Sequence, residues 1–267
     1  MTPHHPLSTL FGLIAFAIVL ICVPIAVVAQ APTAGRPSPH PRAVLVELFT
    51  SEGCSSCPPA DELLRQISGR RIPDGQLVVG LSEHVSYWNG LGWNDPFSSE
   101  LYTGRQNDYG THFGLKSVYT PQIVVNGREQ FLGNDRRALQ VAFLSEAQRP
   151  QIDLHITSAQ ITGKNIIFSY SASELPANSS LQLVAVLVDD MDRSHVLRGE
   201  NSGRELIHVA VARAFAPLGA LQATEKRSIS LPLPSLFTAG TGTGHHLVLF
   251  AQQNRAGAVM GIDTKSL

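Results

Sequence analysis

Reactive chemistry is concentrated in two cysteines, Cys54 and Cys57, separated by Ser55-Ser56 within VLVELFTSEGCSSCPPADELL (Val44–Leu64). A pair at this spacing can cycle between dithiol and disulfide: one thiolate attacks and the other closes the internal bond. Cys54 is the expected attacking thiol, because the unpaired amides and dipole of a helix N-terminus favour the thiolate. Cys57, about one turn further, is the expected resolving thiol. The bland alternative is a permanent staple of the turn, although so small a loop gains less from closure than a long crosslink does.

Such a pair needs a strand to deliver it and a helix to receive it. The apolar run Ala43–Phe49 reads as the strand. The helix should begin near Cys57, because Pro58 and Pro59 lack only amide hydrogens that a first turn leaves unpaired. Leu63, Leu64 and Ile67 give it an apolar face that ends near Ser68-Gly69. Gln76–Leu81 reads as a second strand, and Ser98 or Ser99 caps a helix running to about Tyr109. Pro121–Val125 and Arg128–Leu132 flank Asn126-Gly127, a two-residue hairpin turn. Asn134 or Asp135 caps a last helix, Arg136–Ala147. The order β-α-β-α-β-β-α implies a parallel sheet with an antiparallel edge, and CxxC between its first strand and first helix is a redox signature.

The 267 residues include 20 basic and 21 acidic ones, a formal charge of −1 that argues against a nucleic-acid partner. No basic cluster suits an anionic membrane surface. Leu10–Ala29 is apolar and uncharged, and reads either as a cleaved export signal or as a retained anchor long enough to span a bilayer. Residues 1–31 are assigned to this leader and 32–42 to a Pro-rich linker. Either form of the leader places the folded part outside the cytoplasm, in the periplasm or secreted. Its removal takes Cys22 with it, so Cys54 and Cys57 become the only cysteines. In an oxidising compartment a lone pair is expected to be a disulfide in at least one state.

Residues 43–147 resemble the thioredoxin superfamily, with Cys54-Ser55-Ser56-Cys57 at the active-site position. ELFTSEGCSSCPPAD, HVSYWNGLGWNDPF, YTPQIVVNG and GENSGRELIH more closely resemble one exported bacterial thioredoxin-like family classed as of unknown function. The resemblance implies that Thr120-Pro121 is a cis-proline site facing the sulfurs and offering backbone to an extended substrate. It also makes Glu47 a counterpart of the superfamily's buried acid, but one residue further from the cysteine, an offset that strand alternation would aim at the opposite face. Gly53 replaces the usual tryptophan, and Ser55-Ser56 replaces Gly-Pro. The redox poise is therefore not transferable.

A metal reading competes with the redox one. Cys54 and Cys57 with His84 would make a Cys₂His set suited to copper(I) or zinc, and exported copper-delivery proteins of the thioredoxin fold resemble this plan. Their cysteines, however, are usually spaced by three residues. A lone histidine is more often a hydrogen-bonded structural group. Tyr87, Trp88, Trp93 and Phe97 either line a groove beside the cysteines or pack the long connection that carries them. Asp95 either caps a helix or orients His84.

After Pro150 the chain alternates through Gln151–Gln160, Asn165–Ser171, Leu181–Asp189, Glu205–Phe215, Thr224–Leu231, His246–Gln253 and Ala258–Asp263. The turn Gly199–Arg204, followed by Glu205 and His208, reads as a hairpin with a cross-strand ion pair, or as a domain contact or small site. The expected architecture is an α/β thioredoxin-like domain over residues 43–149 followed by an all-β sandwich-like domain over 150–267. The expected function is thiol–disulfide exchange on a protein or small-thiol substrate without a cofactor. The rivals are copper or zinc handling and a non-enzymatic envelope binding protein.

Overall fold

The strand that carries the cysteine turn, β1 (Ala43–Thr50), is buried along its whole length and lies inside a large sheet. A computed structural model describes residues 1–2, 42–177, 179–234 and 244–267. Residues 3–41, all but the ends of the leader and linker, lie outside the described residues. Among the described residues no helix is long and apolar enough to cross a membrane.

The local elements form where residue patterning places them. Helix α1 (Pro58–Ile67) starts after Cys57 with prolines in its first turn. Strand β2 (Leu77–His84) pairs parallel with β1. Helix α2 (Glu100–His112) is capped by the Ser99 side chain, which accepts from the Leu101 amide. Strands β3 (Gln122–Val125) and β4 (Glu129–Leu132) form a hairpin around Asn126-Gly127, both at positive φ as a two-residue turn of this type requires. Helix α3 (Arg136–Ala147) is capped by Asp135. The second half supplies β5 (Asp153–Thr162), β6 (Asn165–Ser173), β7 (Leu181–His195), β8 (Glu205–Ala220), β9 (Thr224–Pro232), β10 (His245–Gln253) and β11 (Val259–Ser266).

Their assembly overturns the expected architecture. The chain is mostly β, with three helices among the described residues, and does not form an α/β thioredoxin-like domain followed by a sandwich-like one. One mixed sheet of eight strands runs β11-β10-β7-β8-β2-β1-β3-β4, and a second sheet runs β5-β6-β9. Four strands from the second half thus extend the sheet begun by β1 and β2. The described residues from 42 onward form one compact unit, with no break at 149/150.

The physical reason is that the exposed edge of β2 is covered by the chain's own β8, through a parallel bridge at Ser82 and Val211. Tyr102 of α2 donates to the carbonyl of Ala212 at 2.6 Å and holds β8 in place. The apolar faces agree with this single sheet. Ala43, Leu45, Val79 and Leu81 from β1 and β2 share one core with Val186, Val188, Val248 and Phe250 from β7 and β10. The small sheet packs Ile156, Phe168 and Tyr170 onto Leu183, Leu187, Leu247 and Leu249.

The β3–β4 turn locks onto the other half. Asn126 accepts from the Leu45 amide at 2.8 Å through its side chain and from the Val259 amide at 2.8 Å through its carbonyl. A Cβ at Gly127, which has a φ of 62°, would overlap the carbonyl oxygen of Gly257. Gly127→Ala is therefore expected to lower stability by roughly 1–3 kcal/mol, the usual cost of overpacking a tight contact. Chemical denaturation of both proteins checks this, and an unchanged midpoint would show that the turn can move away from Gly257.

Candidate functional site

Cys54 and Cys57 form a disulfide with their Cα atoms 5.5 Å apart. The turn is closed by backbone bonds from the Cys54 amide to the Ser51 carbonyl and from the Cys57 amide to the Cys54 carbonyl. Cys57 occupies the N-cap of α1, and its carbonyl accepts from the amides of Ala60 and Asp61. Ser55 and Ser56 are exposed, yet neither cysteine has exposed surface.

Buried acids and histidines surround this turn. Strand alternation aims Thr50 of β1 and His84 of β2 at the face covered by α1, and the two are partners in register. Thr50 donates to Asp61 Oδ1 at 2.9 Å, one helical turn beyond Cys57. Asp61 Oδ2 lies 3.9 Å from Nδ1 of His208, which β8 contributes. His208 Nε2 lies 3.3 Å from Oε1 of Glu52, within the cysteine turn itself. Trp93 donates to the second Glu52 oxygen at 2.6 Å. The His84 and His208 rings meet edge to face, with centroids 4.6 Å apart, and Phe97 packs edgewise against both.

Asp95 orients His84: its Oδ2 lies 2.7 Å from His84 Nδ1 and also accepts the Glu52 amide at 2.8 Å. Its other oxygen accepts from the Phe97 amide. Burial alone would raise the Asp95 carboxyl, but the His84 charge and these hydrogen bonds hold it down at about 2. Burial alone would lower His84, but the charge and hydrogen bond of Asp95 outweigh it and the net shift is upward. Burial pushes Asp61 up, opposed by the charges of His208 and His84.

These directions fix a pH signature. A depressed Asp95 contributes stability that is present above its ordinary value of 3.8 and lost as pH falls through about 2. A raised His84 contributes stability that is present below 6.5 and lost as pH rises through its folded value. Asp95→Asn is expected to cost about 2 kcal/mol, with the loss largest between these limits. Thermal melts of both proteins from pH 2 to 9 check this. A difference constant across the range would mean that His84 and Asp95 do not stabilise one another's charged forms.

Thr120-Pro121 is a cis peptide. Thr120 accepts the indole proton of Trp88 at 2.8 Å, and Trp88 packs against Gly53, where an added Cβ would lie 3.1 Å from the Trp88 Cβ. Pro121 and Ala60 of α1 both lie close against Gly133, their Cβ atoms 2.8 and 2.9 Å from where a Cβ there would stand. Trp88 thus joins Thr120 to the cysteine turn. The aromatic stretch packs the connection around the site, while Tyr87 remains partly exposed.

The set Cys54, Cys57 and His84 is not brought together as metal ligands. Among the described residues no three His, Cys, Asp or Glu side chains are grouped to hold an ion. Glu47 faces the opposite side of the sheet, as its offset implied, and bonds Arg105 and Tyr109 of α2. Sequence reasoning missed Glu52, Asp61, Asn201 and the role of His208. The patterns that contain them carry no spacing that announces a joint site, because β8 reaches the cysteines from about 150 positions away. The Gly199–Arg204 turn closes the β7–β8 hairpin and also reaches the cysteine turn. Arg193 and Glu205 form the cross-strand ion pair at 2.8 Å, and the turn also bonds the cysteine turn.

Residues 45–252 match the family described as "Protein of unknown function (DUF1223)", and the chain belongs to that family. It is similar to the crystal structure of protein AGR_C_4864 from Agrobacterium tumefaciens, a structural-genomics target. The two are 29% identical with a TM-score of 0.62, over 84% of this chain and 94% of that one. HBP35 of Porphyromonas gingivalis shares the fold, at 15% identity and a TM-score of 0.56 over 85% of this chain and 76% of that one. No curated protein matches the sequence.

Proposed function

We propose that this DUF1223 family member is an extracytoplasmic thiol–disulfide oxidoreductase acting on protein or small-thiol substrates. The observation that carries the reading is the Cys54–Cys57 disulfide at the N-cap of α1, set among Glu52, Asp61, His84, Asp95 and His208. A staple needs no such set. Buried acids and histidines are costly to assemble, and they cluster where protons must be exchanged.

In the reducing direction the Cys54 thiolate attacks a substrate disulfide, forming a mixed disulfide and releasing one substrate thiolate. Cys57 then displaces the second thiolate, and the two cysteines end as the internal disulfide. Two electrons pass from the dithiol to the substrate, and the two cysteine protons end on the two substrate thiols. The oxidising direction is the reverse. The apolar leader supports placement outside the cytoplasm, where such a disulfide persists.

Insulin reduction and reoxidation of a reduced model protein, each run with wild type and Cys54→Ser, test the reading. Wild-type turnover in one direction that Cys54→Ser lacks supports it, whereas no turnover in either direction removes it. A second reading, a structural staple in an envelope binding protein, is favoured by the complete burial of both cysteines. It predicts that second outcome.

A further inference from the structure

The turn between β7 and β8 is bonded to the backbone of the cysteine turn. Asn201 is fully buried, and its side-chain amide donates to the carbonyls of Glu52 at 2.9 Å and Cys54 at 3.0 Å. Arg204 donates to the Asn201 oxygen at 3.1 Å, which fixes the NH₂ end of the amide toward the cysteine turn. The next contact comes from Glu200, whose Oε2 accepts from the Ser55 amide at 3.0 Å. Hydrogen bonds from the Ser55 hydroxyl and then its amide hold the Glu200 carboxyl below its ordinary range. Peptide groups at 52, 54 and 55 are therefore bound by two adjacent residues almost 150 positions later.

The turn is shaped for this approach. Gly199 and Gly203 both take positive φ, at 78° and 80°. A Cβ on Gly92 would lie 3.2 Å from the Gly199 Cα, and one on Gly199 would lie 3.2 Å from the Trp93 Cβ. Val196, fully buried, anchors the base of the turn by accepting from the Gly203 amide and donating to the Arg204 carbonyl. Asn201 is thus a rigid, buried fastening, and Glu200 an exposed one at its rim.

We propose that the β7–β8 turn is a latch on the Cys54–Cys57 disulfide, with Asn201 and Glu200 as fastening residues that set how fast the bond is reduced. A thiolate must approach a sulfur along the S–S axis, and neither cysteine offers exposed surface, so release of the peptide groups at 52, 54 and 55 precedes attack. Glu200 holds the Ser55 amide, a donor that an incoming peptide carbonyl would take over. The biological use of the latch rests on the redox reading above; its effect on access does not.

The test is the rate at which excess dithiothreitol reduces the oxidised full-length protein, followed by trapping free thiols with maleimide. Each equivalent of reagent gives two electrons and two protons to the disulfide and ends as its own cyclic disulfide. Glu200→Ala is expected to be reduced about threefold faster, and Asn201→Ala about tenfold faster, the scale of one and two ordinary net hydrogen bonds. Ser202→Ala, which removes only a bond to the Leu197 carbonyl, serves as the control at the wild-type rate. Glu200→Ala and a folded Asn201→Ala both within twofold of wild type would overturn the latch. Should Asn201→Ala not fold, Glu200→Ala decides alone. Faster reduction in a protein that shows turnover in neither direction, insulin reduction or reoxidation of a reduced protein, keeps the latch and removes the redox reading. Turnover with unchanged reduction rates does the opposite.

Discussion

Arg105→Met is expected to destabilise the protein by about 3–5 kcal/mol, the cost of leaving a buried charge without its partner. Arg105 is 8% exposed, and its Nε donates to Glu47 Oε1 at 2.6 Å. Its remaining protons reach Tyr109, the Gln252 side chain and the Arg255 carbonyl. The guanidinium also lies over the rings of Tyr109, Phe215 and Phe250, 4.7–5.4 Å from their centroids. Glu83 lies 3.6 Å away, and burial together with the neighbouring Glu47 raises its carboxyl well above the usual range. One guanidinium thus stands between two buried carboxylates, Glu47 and Glu83, and ties α2 to β8 and β10. Methionine fills much of the volume but leaves the Glu47 carboxylate without its cation. Arg105→Met combined with Glu47→Leu is expected to recover most of the loss, because the orphaned charge goes with its partner. Urea denaturation of the single and double variants decides the matter. Full additivity would mean that the two side chains do not act as a pair.

Cys54→Ser and Cys57→Ser are expected to abolish turnover in different ways. Without Cys54 the attacking thiol is gone, and no covalent adduct with a disulfide substrate forms. Without Cys57 the first attack still occurs, but the mixed disulfide has no resolving partner and accumulates on Cys54. Mass analysis of each variant after incubation with a disulfide peptide separates the roles. An adduct on Cys57 in the Cys54→Ser protein, with none in the converse, would reverse the assignment. Both variants lose the crosslink and about 2 kcal/mol of stability by the chain-entropy relation for so short a loop. Comparable melting points in the two proteins therefore separate lost chemistry from lost fold.

The amino-acid sequence by itself determined the local elements and the residues that lead the candidate site. Proline at the start of α1, Ser99 and Asp135 at the caps, and Asn126-Gly127 at the hairpin act within a few residues of themselves. Cys54 and Cys57 were legible for the same reason, since a spacing of two residues is a local fact. Alternation along β1 likewise placed Glu47 on the face away from Thr50.

Only the tertiary structure decided how the halves meet. A buried strand shows that its edges need partners, but its side chains do not say which strand supplies them. The Ser82–Val211 bridge spans a wide gap in sequence, and that one junction turns the two expected domains into one sheet. His208, Asn201 and Glu200 reach the cysteines through the same junction, so their part in the site was hidden wherever the junction was. The Cys54–Cys57 disulfide is buried, with histidines and carboxylates around its turn and the β7–β8 turn bonded to its backbone. The physical reason is that hydrogen bonds and buried charges find their partners in space, after the sheet has closed.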